Sequence, residues 1–257
     1  MDLQLRDRLF IVTGASSGFG KAITASLAAE DAKVIAVARS MDKLEILKNE
    51  IPGIEIVSLD ITLPESLRRL YQMVEDRDLT GIVVNAGGPP AKAFLETELE
   101  DWDEAYRKIL RWKVDLTLTF LPFFERKGYG RYLFIESVSI KQPVPNLALS
   151  NSLRMAVAGF VKTFSNEIAH KGITANVMAA GYHLTPALER VIHKNSEADG
   201  ISLQEALNRM IVDVPTRKLG TLEDFASLAI WLLSPRSAYI TGQTISIEGG
   251  SVRGTMG

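Results

Sequence analysis

A doubly wound α/β fold, one parallel sheet with helices on both faces, is predicted by three observations. Short apolar runs alternate with helix-like segments along the whole chain. They are mostly apolar runs rather than period-two patterns, as strands covered on both faces require. A glycine-rich turn joins the first run to the first helix, as in a βαβ unit. The 257 residues suffice for one large α/β domain, and 1–257 reads as a single domain without repeats or linkers.

The elements follow in order. L-F-I-V from Leu9 is the first strand, and the run from Lys21 has apolar residues at helical spacing. Val34 to Ala38 is a second strand; Ser40 caps the next helix, with Leu44 and Leu47 inward. Ile54 to Leu59 and Gly81 to Asn85 are the third and fourth strands. A long helical region spans Glu100 to Arg126, with Pro122 as its expected kink or break. Tyr132 to Ile135 is a fifth strand, Leu149 to His170 a long helix and Ile173 to Met178 a sixth strand. Glu223 to Leu233 is a helix and Thr244 to Ile247 the last of about seven strands. The polar stretch 185–214 has helical pieces at Leu188 to His193 and Leu203 to Ile211. It follows a strand end directly, where ligands of such sheets bind, and is expected to be a lid over the substrate.

Hydrophobic residues make up 46% and charged residues 23%, normal for a soluble protein. The net charge of −2 gives no basic field for nucleic acid. Arg107, Lys108, Arg111 and Lys113, around Trp112, read at helical spacing as a solvated or subunit-contact face. Cysteine is absent, which excludes disulfides, and the three histidines lack metal-ligand spacing, so no metal is expected. The charged start M-D-L-Q-L-R-D-R lacks a signal-peptide core, and no run approaches the ~18 apolar residues of a membrane span. A cytoplasmic protein away from membranes is the expectation.

The turn T-G-A-S-S-G-F-G, Thr13 to Gly20, carries the first functional signal. Such a turn aims backbone N–H groups and a helix N-terminus at one spot, which attracts phosphate. Gly14 allows the tight turn, and Gly18 and Gly20 let a pyrophosphate and the helix approach closely. Dinucleotide binding follows.

Over nearly its whole length the chain resembles the short-chain dehydrogenase/reductase superfamily, within it the 3-oxoacyl-acyl-carrier-protein reductases and glucose dehydrogenases. The likeness rests on the glycine turn, L-D-I-T with Asp60, N-A-G-G from Asn85, Gly159 and Glu167, G-Y-H-L-T-P from Gly181, and the tail Ser237 to Gly250. It implies a Rossmann-type fold. It also implies nicotinamide dinucleotide contacts from Gly14, Ser16, Ser17, Gly18, Phe19, Gly20, Arg39, Ser40, Asp60, Ile61, Asn85, Ala86, Gly87, Gly181, Tyr182 and Thr185. A homo-oligomer, dimer or tetramer, is implied by resemblance alone.

The cofactor form is argued locally. NAD sites place Asp or Glu about twenty residues beyond the glycines. Here the second strand ends in Ala38 and Arg39, and a guanidinium suits a phosphate. NADP is expected over NAD.

The family's chemistry uses Asn, Ser, Tyr and Lys. The Ser falls on Ser137, but the Tyr position is Ser150, the Lys position Arg154 and the Asn position Ile109. A serine hydroxyl is a far weaker acid than a phenol of pKa about 10. Arg154 keeps a charge that can hold ribose hydroxyls but never yields its proton. General acid–base help is worth about 10²–10⁴ in rate, so its loss slows hydride transfer without abolishing it. Lys141, Tyr182 and His183 are candidate replacement proton donors. They also read, respectively, as a solvated loop lysine, a packing residue beside the cofactor and an exposed loop histidine; Ser150 also reads as a helix cap. The leading expectation is an NADP(H)-dependent oxidoreductase interconverting a small carbonyl compound, 3-oxoacyl or sugar by resemblance, and its alcohol. The alternative is a catalytically silent cofactor-binding protein, a redox sensor or assembly partner.

Overall fold

The computed structural model describes residues 1–255; Met256 and Gly257, the end of the expected 1–257 domain, lie outside the described residues. Seven parallel strands form one sheet: β1 (Leu9–Thr13), β2 (Lys33–Ala38), β3 (Glu55–Ser58), β4 (Leu79–Val84), β5 (Gly130–Ser137), β6 (Ile173–Ala180) and β7 (Thr244–Ile247). Their order is β3-β2-β1-β4-β5-β6-β7. The helices are α1 (Gly18–Ala29), α2 (Met41–Glu50), α3 (Pro64–Gln72), α4 (Leu99–Ala105), α5 (Trp112–Lys127), α6 (Ala148–Ile168), α7 (Pro186–Asp199), α8 (Leu203–Ile211) and α9 (Leu222–Leu233).

The apolar strands separate two cores. On one face Ile11, Val84 and Phe134 pack with Leu67, Phe120 and Val161 from α3, α5 and α6. On the other, Phe10, Val83 and Leu133 pack with Ile23, Leu44 and Phe225 from α1, α2 and α9. The order reverses between β1 and β4, opening the crevice where such sheets bind ligands.

Two expectations change. The long helical region does not break at Pro122, which lies inside α5. That proline is exposed, so the carbonyl it displaces one turn back can turn to water. The irregularity sits earlier, as a π-helical turn at Tyr106–Arg111. α3 has no counterpart among the sequence-predicted elements; Pro64 opens it, and Leu67 and Leu70 bury its inner face. The 185–214 stretch forms α7, longer than the predicted piece, and α8, which has the predicted bounds, and it buries little beyond Ile192, Ala206 and Val214.

Candidate active site

The glycine turn is clamped to the neighbouring strand end. The Thr13 hydroxyl lies 2.7 Å from the Asn85 carbonyl and accepts the Asn85 N–H at 2.8 Å. The Asn85 side-chain amide reaches the Gly14 carbonyl at 3.5 Å. Gly14 and Gly18 have φ of +61° and +54°, a conformation natural to glycine. A methyl group on Gly20 would stand 2.2 Å from the Gly14 carbonyl oxygen. Ser17 precedes α1 without a side-chain cap hydrogen bond, so its side chain does not take up the first N–H groups of the helix. The turn therefore offers backbone N–H groups and the positive helix end to an anion, as a pyrophosphate requires.

Beside it is a groove of about 510 Å³ lined by Ser16, Ser17, Arg39, Ser40 and Lys43. Ser40 caps α2, its hydroxyl accepting the Lys43 N–H at 3.4 Å. The cap turns α2 so that Lys43 joins Arg39, and no carboxylate lines the groove. Sequence reasoning missed Lys43; the signal was a second cation four residues after Arg39.

Asp60 closes the turn after β3, accepting the Thr62 N–H at 3.0 Å and the Thr62 hydroxyl at 2.7 Å. Ile61 is buried, Ala86 packs on the core and Gly87 is exposed. Past β6, Gly181 leads to Tyr182, 41% exposed, and to Thr185, which caps α7 by accepting the Leu188 N–H at 3.1 Å. The Thr185 methyl would lie 3.7 Å from a Cβ on Gly18, so the loop leading to α7 starts over the glycine turn.

His183 is not an exposed loop residue. It is 3% exposed, with its ring edge-on to Phe19 of the turn and Phe225 of α9. Nδ1 faces the Gly181 carbonyl at 3.2 Å, while Nε2 is buried without a partner among the described residues. Burial pushes its pKa below the ordinary histidine value, against weaker opposing effects of the Gly181 carbonyl and Asp224. It fixes the glycine turn by packing against Phe19.

Ser137 ends β5 and its Oγ accepts the Ser139 N–H at 3.2 Å. Ser150 is not a cap: α6 begins at Ala148 with Leu147 at the cap position, and Ser150 is the buried third residue of the helix. Its Oγ accepts from Arg154 Nε at 3.0 Å. Each serine accepts from the protein, which leaves its own hydroxyl proton for a substrate oxygen. Arg154 Nη1 donates to Glu136 Oε2 at 2.6 Å. Glu136 also pairs with Lys113, and the Lys113 and Glu136 side chains are 3% and 0% exposed. Lys113 therefore leaves the solvated face expected of it. Burial pushes its ammonium below the usual lysine range, partly opposed by Glu136. Ile109 is buried in the π-helical turn, where it can hold no water. Lys141 follows a single 3₁₀ turn after Ser137 and is half-buried. Glu136 was missed; its signal was the single acid in a strand run that is mostly apolar.

A parallel sheet reversing at β1 and β4, with a glycine turn at that point, is the frame of a dinucleotide-binding protein. The family model for enoyl-(acyl carrier protein) reductase matches residues 14–251. The chain belongs to the short-chain dehydrogenase/reductase superfamily. It is similar to D-beta-hydroxybutyrate dehydrogenase of Rhizobium meliloti (strain 1021), 29% identical over 93% of this chain and 96% of that protein. It is also 29% identical to the 3-oxoacyl-[acyl-carrier-protein] reductase FabG of Thermotoga maritima, over 97% of this chain and 100% of the relative. Among solved structures, a single-residue variant of actinorhodin polyketide ketoreductase with NADPH superposes with a TM-score of 0.90 at 27% identity, covering 96% of this chain and 98% of that one. As a short-chain dehydrogenase/reductase, the chain is an NAD(P)-dependent oxidoreductase that works between carbonyl and alcohol. The glycine turn and groove fit the dinucleotide such an enzyme binds. Among the described residues no helix is long and apolar enough to cross a membrane, and no cluster of three His, Asp or Glu is placed to hold a metal.

Proposed function

We propose that this enzyme prefers NADP(H) and reduces a small carbonyl substrate of the 3-oxoacyl or sugar class, or oxidises the matching alcohol. The groove lined by Ser16, Ser17, Arg39, Ser40 and Lys43 carries the cofactor reading. A ribose phosphate there meets two cations and three hydroxyls, whereas an unphosphorylated ribose finds no carboxylate to hold its hydroxyls. A relative's 3-oxoacyl substrate and a neighbour's bound NADPH accord with both parts.

When bound, the nicotinamide gives or takes the hydride. Ser137 and Ser150 donate to the substrate oxygen and orient its carbonyl. Arg154, held by Glu136, supplies positive charge beside the oxygen as it becomes an alkoxide. The alkoxide is protonated by solvent or by Lys141, because no phenol stands at position 150. The dinucleotide contacts are those expected from Gly14 to Gly20, Asp60, Asn85 and Gly181 to Thr185, with Lys43 added. α7 and α8 act as a lid, the chain assembles as a homodimer or homotetramer, and it works in the cytoplasm.

Calorimetric titration of NADPH and NADH against the wild type, Arg39→Ala and Lys43→Ala tests the cofactor reading. Each variant weakens NADPH about tenfold or more and leaves NADH nearly unchanged. Equal losses for both nucleotides overturn the preference. A panel of 3-oxo esters and ketoses with NADPH tests the substrate class.

A further inference from the structure

His183 stands where three segments meet. Its ring is edge-on to Phe19 of the glycine turn at 5.2 Å and to Phe225 of α9 at 5.3 Å between centroids, and those two rings lie 4.1 Å apart. The imidazole also fills the space over Gly220, where a Cβ would stand 2.6 Å from Nε2. The backbone ties the same segments together. Gly220 N–H donates to the Tyr182 carbonyl at 2.9 Å, and Leu184 N–H donates to the Gly220 carbonyl at 3.0 Å. Two residues after His183, Thr185 stands over Gly18. One buried side chain thus holds the loop after β6 and the glycine turn against a common support.

This packing admits only the neutral ring. The Gly181 carbonyl can only accept, so Nδ1 carries the proton and donates to it at 3.2 Å. Nε2 is then the bare nitrogen, buried and without a partner among the described residues. A proton added there makes a buried cation whose N–H has no acceptor, and swinging the ring into water relieves that cost. Asp224 of α9 is the charged side chain that acts on the ring. Its Oδ2 accepts the Thr221 N–H at 3.1 Å in the cap of α9 and makes no bond to Nε2. Arg217, Lys218 and Glu223, beside Gly220 and Asp224 in the chain, are exposed, and Lys21 of α1 pairs with Glu50.

We propose that His183 is a positioning residue for the dinucleotide: its neutral ring holds the 181–185 loop against Phe19 of the glycine turn, and a second proton drives the ring out and loosens both from the cofactor. The assignment rests on the reading that the turn and the loop grip the dinucleotide. Binding is then linked to proton loss. The nucleotide-bound protein keeps the ring neutral, whereas a ring swung into water takes up a proton below about pH 6.5. Affinity therefore falls as pH falls through that value, by no more than about tenfold per pH unit for one group. Packing alone, without the requirement for a neutral ring, gives no such linkage.

NADP⁺ and NAD⁺ are titrated by calorimetry into the full chain between pH 7.5 and pH 5.5, with near-ultraviolet circular dichroism showing at each pH that the chain is folded. Wild-type affinity for both nucleotides falls about threefold or more across that range. NAD⁺ lacks the 2′-phosphate that titrates in the same window, so its loss reads the protein alone. Repeating the NAD⁺ titration at pH 5.5 in buffers of different ionisation enthalpy shows a proton released on binding. His183→Phe keeps a ring between Phe19 and Phe225 but cannot take a proton, so NAD⁺ binding loses its pH dependence and its proton release. His183→Gln, which lacks the ring, loses both as well and binds NAD⁺ more weakly at pH 7.5 than His183→Phe does. Wild-type NAD⁺ affinity that is flat with pH, binding without proton release, or a pH dependence that survives in both variants overturns the assignment. No binding of either nucleotide at pH 7.5 strikes the dinucleotide reading and this assignment together, whereas binding that is flat with pH strikes this assignment alone.

Discussion

Arg154 Nη1 lies 2.6 Å from Glu136 Oε2, so the guanidinium on α6 is tied to the end of β5. The tie crosses from helix to sheet in a space closed to water. Removing the carboxylate charge would leave Lys113 and Arg154 facing each other. Glu136→Gln is expected to cost about 3–5 kcal/mol in denaturant unfolding. Glu55→Gln, which breaks a pair between half-exposed side chains, costs below about 1 kcal/mol.

The same cluster explains why turnover should be slow without a phenol. The Ser150→Tyr/Arg154→Lys double variant puts a phenol and a lysine one helical turn apart in the same cleft. Its kcat with NADPH and a reducible ketone is expected to rise by ~10²-fold. An unchanged kcat would mean that proton delivery does not limit the wild type.

Two glycines should respond oppositely to alanine. At Gly20 a methyl group would stand 2.2 Å from the Gly14 carbonyl, so Gly20→Ala distorts the turn and abolishes NADPH binding by calorimetry. Gly159 lies within α6 with open space around it. Gly159→Ala is expected to stabilise the protein by about 0.5–1 kcal/mol, read as a raised melting temperature.

His183 should impose acid sensitivity. Its folded-state pKa lies below the ordinary value of about 6.5, because burial disfavours the charged ring. Between those two values the unfolded chain binds more protons, so stability rises with pH there. The stability contribution is complete above about pH 6.5 and is lost as pH falls toward the depressed value. Melting temperatures across that window should fall more steeply for the wild type than for His183→Gln. Parallel slopes would exclude His183 as the source.

Much of this was legible along the chain. The central strand runs Leu9–Val12 and Val34–Ala38 read as buried because every residue in them is apolar, and β7 falls where its run predicts. The positions of Ser137, Ser150 and Arg154 followed from the family resemblance, counted from the motifs that carry it. The misreadings concern burial of polar groups. Lys113 belongs to a basic run, yet α5 turns it toward β5 while its neighbours stay outward. His183 sits in a polar loop, yet Phe19 and Phe225 close over it. Pro122 looked like a breaker, but its place on the exposed face let α5 continue.

By itself the sequence determined the parallel sheet, the glycine turn and the loss of the tyrosine and lysine, because apolar runs, backbone freedom at glycine and residue identity are local properties. Only the tertiary structure decided that Lys113, Glu136 and Arg154 share one buried cluster and that Lys43 joins Arg39 at one groove. Lys113 and Arg154 stand 23 and 18 residues from Glu136, on separate helices. Whether such charges meet, and whether water reaches them, depends on how α5 and α6 pack against β5, which no local pattern encodes.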